Sequence, residues 1–164
     1  VIAFDSSARQ AVPLTDLLSF QMPALTASGT TSLGEALSLT ASSIAKEVQK
    51  TTADTKGDWR PLVFLMTDGS PNDDWRKGLN DFKAARTGVV VACAAGHDAD
   101  TSVLKEITEI VVQLDTADSS TIKAFFKWVS ASISVGSQKV ESSKKEVIGL
   151  EDLPPPPPEV NVVL

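Results

Sequence analysis

Two loops of this sequence carry oxygen-bearing side chains at positions where a ligand could bind. Residues 28–32 (SGTTS) are rich in hydroxyl groups, and residues 67–71 (TDGSP) contain one carboxylate among turn-forming residues. Hydroxyl and carboxylate oxygens suit a hard cation such as Mg²⁺, which keeps several water ligands and needs few protein charges. The residue types therefore indicate a small divalent-cation site, and no pair of nucleophile and general base is discernible beside it.

A strand and a helix must position these two loops. Residues 61–66 (PLVFLM) form a continuous apolar run, which predicts a strand buried on both faces, as in a parallel sheet. From Ser32 to about Lys50 apolar residues recur at three- and four-residue spacing, which predicts an amphipathic helix. Ser32 and Glu35 fit a capping box at its start. Both loops then lie beyond strand ends, where parallel α/β sheets bind ligands.

The rest of the chain up to residue 138 alternates between strands and helices. Two short strands are predicted over 1–4 and 8–14, the second at a sheet edge because proline cannot donate to a central ladder. Periodicity predicts further strands over 89–95 and 110–114 and helices over 73–86, 101–110 and 122–133. This alternation predicts a Rossmann-like α/β fold, a doubly wound and mostly parallel sheet with helices on both faces.

Composition excludes several classes of protein. The chain has 164 residues, enough for one α/β domain, and its 42% hydrophobic content excludes wholesale disorder. Its net charge of −6 argues against a nucleic-acid binder, and no apolar run is long enough to span a membrane. A single cysteine, Cys93, permits no internal disulfide and indicates a reducing compartment, so we expect a cytoplasmic protein.

The composition changes after about residue 138. Residues 139–153 are polar and charged, and the five prolines at 154–158 must be extended. We therefore expect a domain over residues 1–138 and an extended, proline-rich tail over 139–164 that can be removed without unfolding the core. The alternative is that the apolar end, EVNVVL, adds a strand to an exposed sheet edge.

The two loops resemble those of a known family. SGTTSLGEAL and VFLMTDGSP are similar to two of the three metal-site loops of the von Willebrand factor A (VWA) domain. The metal-ion-dependent adhesion site (MIDAS) of that family takes a threonine from a G-x-T loop and an aspartate from a T-D-G loop. The resemblance implies that Thr31 and Asp68 bind Mg²⁺ or Mn²⁺, and that an Asp or Glu of a protein partner completes the coordination shell.

The wider sequence is similar to one branch of the family, the TerY-like proteins of bacterial tellurite-resistance operons. Residues 1–14, 50–71, 98–109 and 125–134 carry this similarity. It implies a non-enzymatic, metal-dependent protein-interaction module in a tellurite-resistance or stress-response system. It also implies that a protein phosphatase and a kinase-like protein of the same operon are partners.

One loop of the family pattern has no counterpart here. The third metal-site loop, D-x-S-x-S, follows the first strand of the family, whereas residues 1–4 (VIAF) resemble its second strand. Asp5-Ser6-Ser7 begins like that loop, but Arg9 replaces the second serine and a strand-like run follows. We therefore expect the first strand and helix to be absent from this sequence and a cation to bind only when the missing loop is present.

Two other functions stay open. A scaffold with a non-functional metal site could bind through its surface or its polyproline tail. A nucleotide- or phosphate-processing enzyme could share the fold, but the sequence has neither a G-x-G-x-x-G fingerprint after a strand nor a G-x-x-x-x-G-K-[ST] loop. His97, the one histidine, is expected in a surface loop, and Cys93 as a small buried side chain.

Overall fold

A computed structural model describes most of the chain, and it divides into two compact units. The described residues are 1–26, 28–96, 99–143 and 150–163, so His97 lies outside them. The first unit combines Val1–Asp58 with Pro71–Arg86, and the second combines Trp59–Ser70 with Thr87–Leu164.

The first unit consists of a β-hairpin and two packed helices. Strands β1 (Ile2–Phe4) and β2 (Ala8–Gln10) pair antiparallel. Helices α1 (Leu33–Glu47) and α2 (Trp75–Ala84) pack against each other at a glycine contact. A Cβ atom on Gly78 would collide with the Gly34 carbonyl, so the close approach of these two backbones requires glycine.

The second unit is built on a four-stranded sheet with two helices. Its first three strands are parallel, and the last pairs antiparallel with the third, in the order β3-β4-β5-β6. In chain order the elements are β3 (Val63–Thr67), β4 (Val90–Ala95), α3 (Thr101–Ile107), β5 (Ile110–Leu114), α4 (Ser119–Ser143) and β6 (Val160–Val163). The mostly parallel sheet flanked by helices confirms the predicted Rossmann-like α/β class.

The core of the second unit lies between the sheet and α4. Val91 and Cys93 of β4 point into one cluster with Phe125 and Trp128 of α4. Because neighbouring side chains of a strand alternate between faces, Ala92 points the opposite way, and it too is fully buried. Strands buried on both faces explain why the sequence of β4 has no polar position.

Strand β3 differs from its prediction. Its apolar residues Val63, Phe64, Leu65 and Met66 are only half-buried, whereas the sequence predicted burial on both faces. The sheet order supplies the reason, because β3 is the first strand of the sheet and pairs only with β4 in the part of the chain that the structure describes. An edge strand has a neighbour on one side only, so its side chains are less covered.

The carboxyl-terminal segment also differs from the sequence-based expectation. Helix α4 extends to Ser143, so the domain boundary expected at residue 138 falls inside a helix. Leu153 and Val160 are buried in the core with exposures of 8% and 3%. The Trp128 indole donates to the Pro154 carbonyl over 2.8 Å. This part of the chain therefore packs on the sheet, as the strand-addition alternative anticipated, because β5 offers an edge that β6 can pair with.

Candidate metal-binding loops

The hydroxyl-rich loop over residues 28–32 is held by the turn of the β-hairpin. Gly29 has a φ of 81°, and a Cβ atom there would collide with the Ser6 hydroxyl. The Ser6 hydroxyl accepts from the Thr30 N–H over 3.2 Å, and the Ser32 N–H donates to the Asp5 carbonyl over 2.8 Å. The loop is thus fixed by contacts on both sides of Thr31.

Thr31 itself is held by a pair of hydrogen bonds to Asn72. The Thr31 N–H donates to Asn72 Oδ1 over 2.9 Å, and the Asn72 N–H donates back to the Thr31 carbonyl over 3.1 Å. Thr31 is half-buried, and its hydroxyl makes no hydrogen bond to the described residues. The backbone of this residue is therefore fixed while its side-chain oxygen stays open to a ligand.

The start of α1 is capped from a distance. The predicted capping box between Ser32 and Glu35 is wrong, because Ser32 makes no side-chain cap hydrogen bond. Instead the Asp73 carboxylate accepts from the N–H groups of Gly34 and Glu35 over 3.0 and 2.9 Å. A carboxylate accepts hydrogen bonds from two of the unpaired N–H groups in the first turn and also interacts favourably with the helix dipole. It therefore stabilises the start of α1 more than a single hydroxyl would.

The second loop leaves its carboxylate exposed. Asp68 directly follows β3, and Thr67 before it is buried. The Thr67 hydroxyl accepts from the Gly69 N–H over 3.4 Å and donates to the Gly69 carbonyl over 3.3 Å. This local turn holds the backbone on either side of Asp68, whose own carboxylate accepts no hydrogen bond from the described residues.

The two predicted ligands belong to different units of the structure. Thr31 lies in the first unit and Asp68 in the second. No group of three or more His, Cys, Asp or Glu side chains suited to a metal ion occurs within the described residues. A hydroxyl and a carboxylate are ligand types that a hard cation takes, but two protein oxygens alone bind such a cation weakly.

Asp5, Ser6 and Ser7 act as supports for the first loop. They form the turn between β1 and β2, with the Ser7 N–H donating to the Asp5 carboxylate over 3.2 Å. The Ser6 hydroxyl is engaged by Thr30. These residues therefore hold the loop over residues 28–32.

Sequence reasoning missed Asn72 and Asp73. In the sequence they belong to a turn-rich stretch, SPNDD, and Asp73 was assigned to the first turn of the following helix. The available signal was an Asn-Asp pair directly after a candidate ligand loop, since both side chains readily accept from free backbone N–H groups. What no spacing rule could supply was the identity of the helix that they serve, because it lies about 40 residues upstream.

The buried thiol of Cys93 is unreactive at neutral pH. Cys93 is fully buried in β4, and burial raises its pKa to about 12. Such a thiol is not a nucleophile at neutral pH. The expectation of a small buried side chain is confirmed.

Comparison with known proteins assigns the family. The model of the von Willebrand factor type A domain matches residues 1–128, about four-fifths of the chain. No curated protein and no solved structure gives a significant match. Among the described residues, none of the helices has both the length and the hydropathy that a membrane crossing requires.

Proposed function

This chain belongs to the von Willebrand factor type A domain family, and we propose that it is a protein-interaction module that binds its partner through a divalent cation. Domains of this family are typically non-enzymatic interaction modules. The pair of hydrogen bonds that fixes Thr31 through Asn72 is the observation that carries the proposal. It holds a candidate ligand rigidly and leaves its hydroxyl free.

Thr31 and Asp68 are the proposed protein ligands of Mg²⁺ or Mn²⁺. Asp68 precedes Asn72 by four residues, so one short segment carries a candidate ligand and the side chain that fixes the other. The carboxylate supplies charge, and the hydroxyl supplies a neutral oxygen. An Asp or Glu of the partner takes a further coordination position, and this makes binding dependent on the cation.

High cation affinity requires a third loop of the D-x-S-x-S type. Two ligands compete poorly with water for Mg²⁺, because this ion dehydrates reluctantly. We therefore expect residues 1–164 alone to bind Mg²⁺ or Mn²⁺ weakly.

The cellular setting follows from the TerY-like sequence stretches. We propose a cytoplasmic role in a bacterial tellurite-resistance or stress-response system, with a protein phosphatase and a kinase-like protein as partners. A scaffold that binds through its surface or its polyproline segment, without a cation, is the second candidate function. The docking of Leu153 and Val160 in the core weakens that candidate, because it engages the residues that flank the prolines.

A metal titration tests the ligands. We expect Mn²⁺ to raise the melting temperature of a protein that carries the D-x-S-x-S loop, and Asp68→Ala and Thr31→Val to abolish that rise. Asp54→Ala, in the polar connection after α1, is the matched control and should keep it. A rise that survives in both ligand variants would refute the site.

Calorimetry of residues 1–164 with Mn²⁺ tests the need for the third loop. We expect no measurable heat of binding. Tight one-to-one binding would mean that the two ligands suffice or that residues 5–7 contribute after all, and it would overturn the requirement for a D-x-S-x-S segment.

A further inference from the structure

One short segment of the first unit exposes most of the large apolar side chains that the structure leaves in water. Ten such side chains are exposed among the described residues, and six of them lie within twelve residues of one another. The six are Leu14, Leu17, Leu18, Phe20, Met22 and Leu25. We call this stretch, residues 14–25, the apolar loop. Its concentration of exposed side chains distinguishes it from the single exposed apolar residues that any soluble surface has.

The apolar loop is anchored, so its exposure is a property of its folded geometry. The Leu14 N–H donates to Glu47 Oε2 over 2.5 Å, and the Gln10 amide donates to the other carboxylate oxygen over 2.6 Å. The Leu14 hydrogen bond, followed by that of Gln10, lowers the pKa of the Glu47 carboxyl. This ion remains charged at neutral pH and ties the start of the loop to the end of α1.

A single 3₁₀ turn then directs the leucines outward. It spans Leu17–Ser19, and the Phe20 N–H donates to the Leu17 carbonyl over 3.3 Å. Leu17 is 87% exposed and Leu18 is completely exposed. The largest apolar patch of a soluble monomer usually measures about 300–600 Å², and a few side chains this exposed supply much of such an area.

An open groove runs beside these side chains. It encloses about 360 Å³ and is lined by residues 11–13, Thr15, Ser19 and residues 21–23. Val12, Pro13, Met22 and Pro23 supply its apolar wall. Its volume is at the lower end of the range for ligand pockets, which suits one or two aliphatic side chains.

Charge favours a protein over a lipid surface as the occupant. The one charged residue between Gln10 and Thr31 is Asp16, and the stretch has no Lys or Arg. Loops and helices that bind membrane interfaces combine apolar residues with basic ones that meet anionic headgroups. The apolar loop lacks that complement, whereas a hydrophobic contact without basic residues is ordinary at the centre of a protein interface.

The position of the apolar loop connects it with the proposed metal site. Leu25 precedes Thr31 by six residues, and the loop over 28–32 is its direct continuation. Six residues span at most about 22 Å, so a partner segment of similar length whose carboxylate lies near Thr31 can also contact Leu25 at the end of the apolar loop.

We propose that the apolar loop is the docking surface for a partner segment that presents at least two large aliphatic side chains next to an Asp or Glu. The aliphatic side chains cover Leu17, Leu18 and Met22 and enter the groove, and they supply most of the affinity. The carboxylate supplies the cation dependence. Only this last part rests on the proposed function.

A peptide selection tests the docking surface. Random dodecapeptides displayed on phage are selected in Mn²⁺-containing buffer against a protein that carries the D-x-S-x-S loop, and the enriched sequences are synthesised with a fluorescent label. We expect them to combine two or more Leu, Ile, Met or Phe residues with an acidic residue. The double variant Leu17→Ser, Leu18→Ser should weaken their binding at least ~10-fold, which is the effect of losing a central apolar contact.

Controls separate this proposal from the metal site and from folding. Ile133→Ser removes an exposed apolar side chain from α4 and should leave peptide affinity unchanged, and the double variant should keep the melting temperature of the parent. If EDTA has no effect while the double variant loses binding, the docking surface stands and the metal role falls.

Four results would overturn the docking surface itself. The first is that no peptide is enriched, and the second is that the peptides bind the double variant as tightly as they bind the parent. The third is that the chain binds vesicles that contain phosphatidylserine and the double variant does not. The fourth is that the double variant differs from the parent only in having lost self-association.

Discussion

Residues 14–25 and residues 150–163 both contain leucine and proline but differ in the folded chain. Neither shows the apolar periodicity of a long helix or the continuous apolar run of a buried strand. Leu17 in the first segment is 87% exposed, whereas Leu153 in the second is 8% exposed and joins the core below α4. The same residue type thus has opposite environments in the two segments.

The difference comes from what each segment meets. The second segment reaches a sheet edge, where β6 pairs with β5 in antiparallel register, from Leu114 opposite Val160 to Val111 opposite Val163. The first segment makes its hydrogen bonds through Leu14 at its start and within one 3₁₀ turn. A strand that joins a ladder aligns its side chains with an existing apolar face, and a loop anchored only by polar contacts does not.

Removing the second segment should have the largest effect. Deletion of residues 150–164 takes away β6, Leu153 and the carbonyl that accepts from Trp128. We expect the second unit to lose cooperative unfolding or to melt more than 10 °C lower, since about 1 kcal/mol corresponds to ~2–4 °C in a chain of this size. Thermal unfolding followed by circular dichroism measures it. An unchanged melting curve would support the dispensable tail that composition suggests.

A single truncated leucine sharpens the comparison. Leu153→Ala should lower the free energy of unfolding by about 2–5 kcal/mol, because it leaves a cavity beside the core. Leu17→Ala makes the same chemical change in the exposed segment and should alter stability by less than about 0.5 kcal/mol. Urea denaturation of both variants gives the two values. Equal losses would show that the two segments are buried alike.

The distant cap of α1 allows a similar pairing of variants. Asp73→Ala removes the acceptor of the Gly34 and Glu35 N–H groups and should cost about 0.5–2 kcal/mol. Asp74→Ala is the matched control, because Asp74 makes no side-chain cap hydrogen bond at the start of α2. The urea midpoint of Asp73→Ala should therefore be lower than that of Asp74→Ala. A larger loss in the Asp74 variant would contradict the assignment of the cap.

The smallest expected effect concerns acid stability at the start of α4, the helix that the second segment packs on. Hydrogen bonds from Ser120, Thr116 and Thr121, in that order of size, hold the pKa of Asp118 well below its ordinary value. Stability from a lowered pKa is present above the ordinary value near 3.9 and is lost as pH falls through it. The urea concentration at the unfolding midpoint should therefore decrease as the pH is lowered below about 5.

Asp118→Asn tests that assignment, because asparagine is also a good N-cap but does not titrate. The variant should retain most of the stability at pH 7, and its urea midpoint should fall less than that of the parent between pH 5 and pH 3. Parallel curves for the two proteins would show that Asp118 does not contribute to the acid dependence.

The sequence by itself determined the class of fold and the nature of the candidate ligands. Continuous apolar runs and their alternation with amphipathic periods predicted β4, β5 and the helices, although α4 continues past its predicted end at residue 133 to Ser143. The oxygen chemistry of the TDGSP and SGTTS loops is a property of residue type, so it too could be read without a structure. The match of the VWA family model to residues 1–128 agrees with the predicted fold class.

Only the tertiary structure decided which groups meet. Asn72 binds Thr31 and Asp73 caps α1 across about 40 residues of sequence, and β6 joins β5 across a proline run. It also decided that β3 is an edge strand and that Leu17 faces water. Periodicity records only which face of an element is apolar, whereas pairing and capping depend on which backbone groups are left free when distant elements come together.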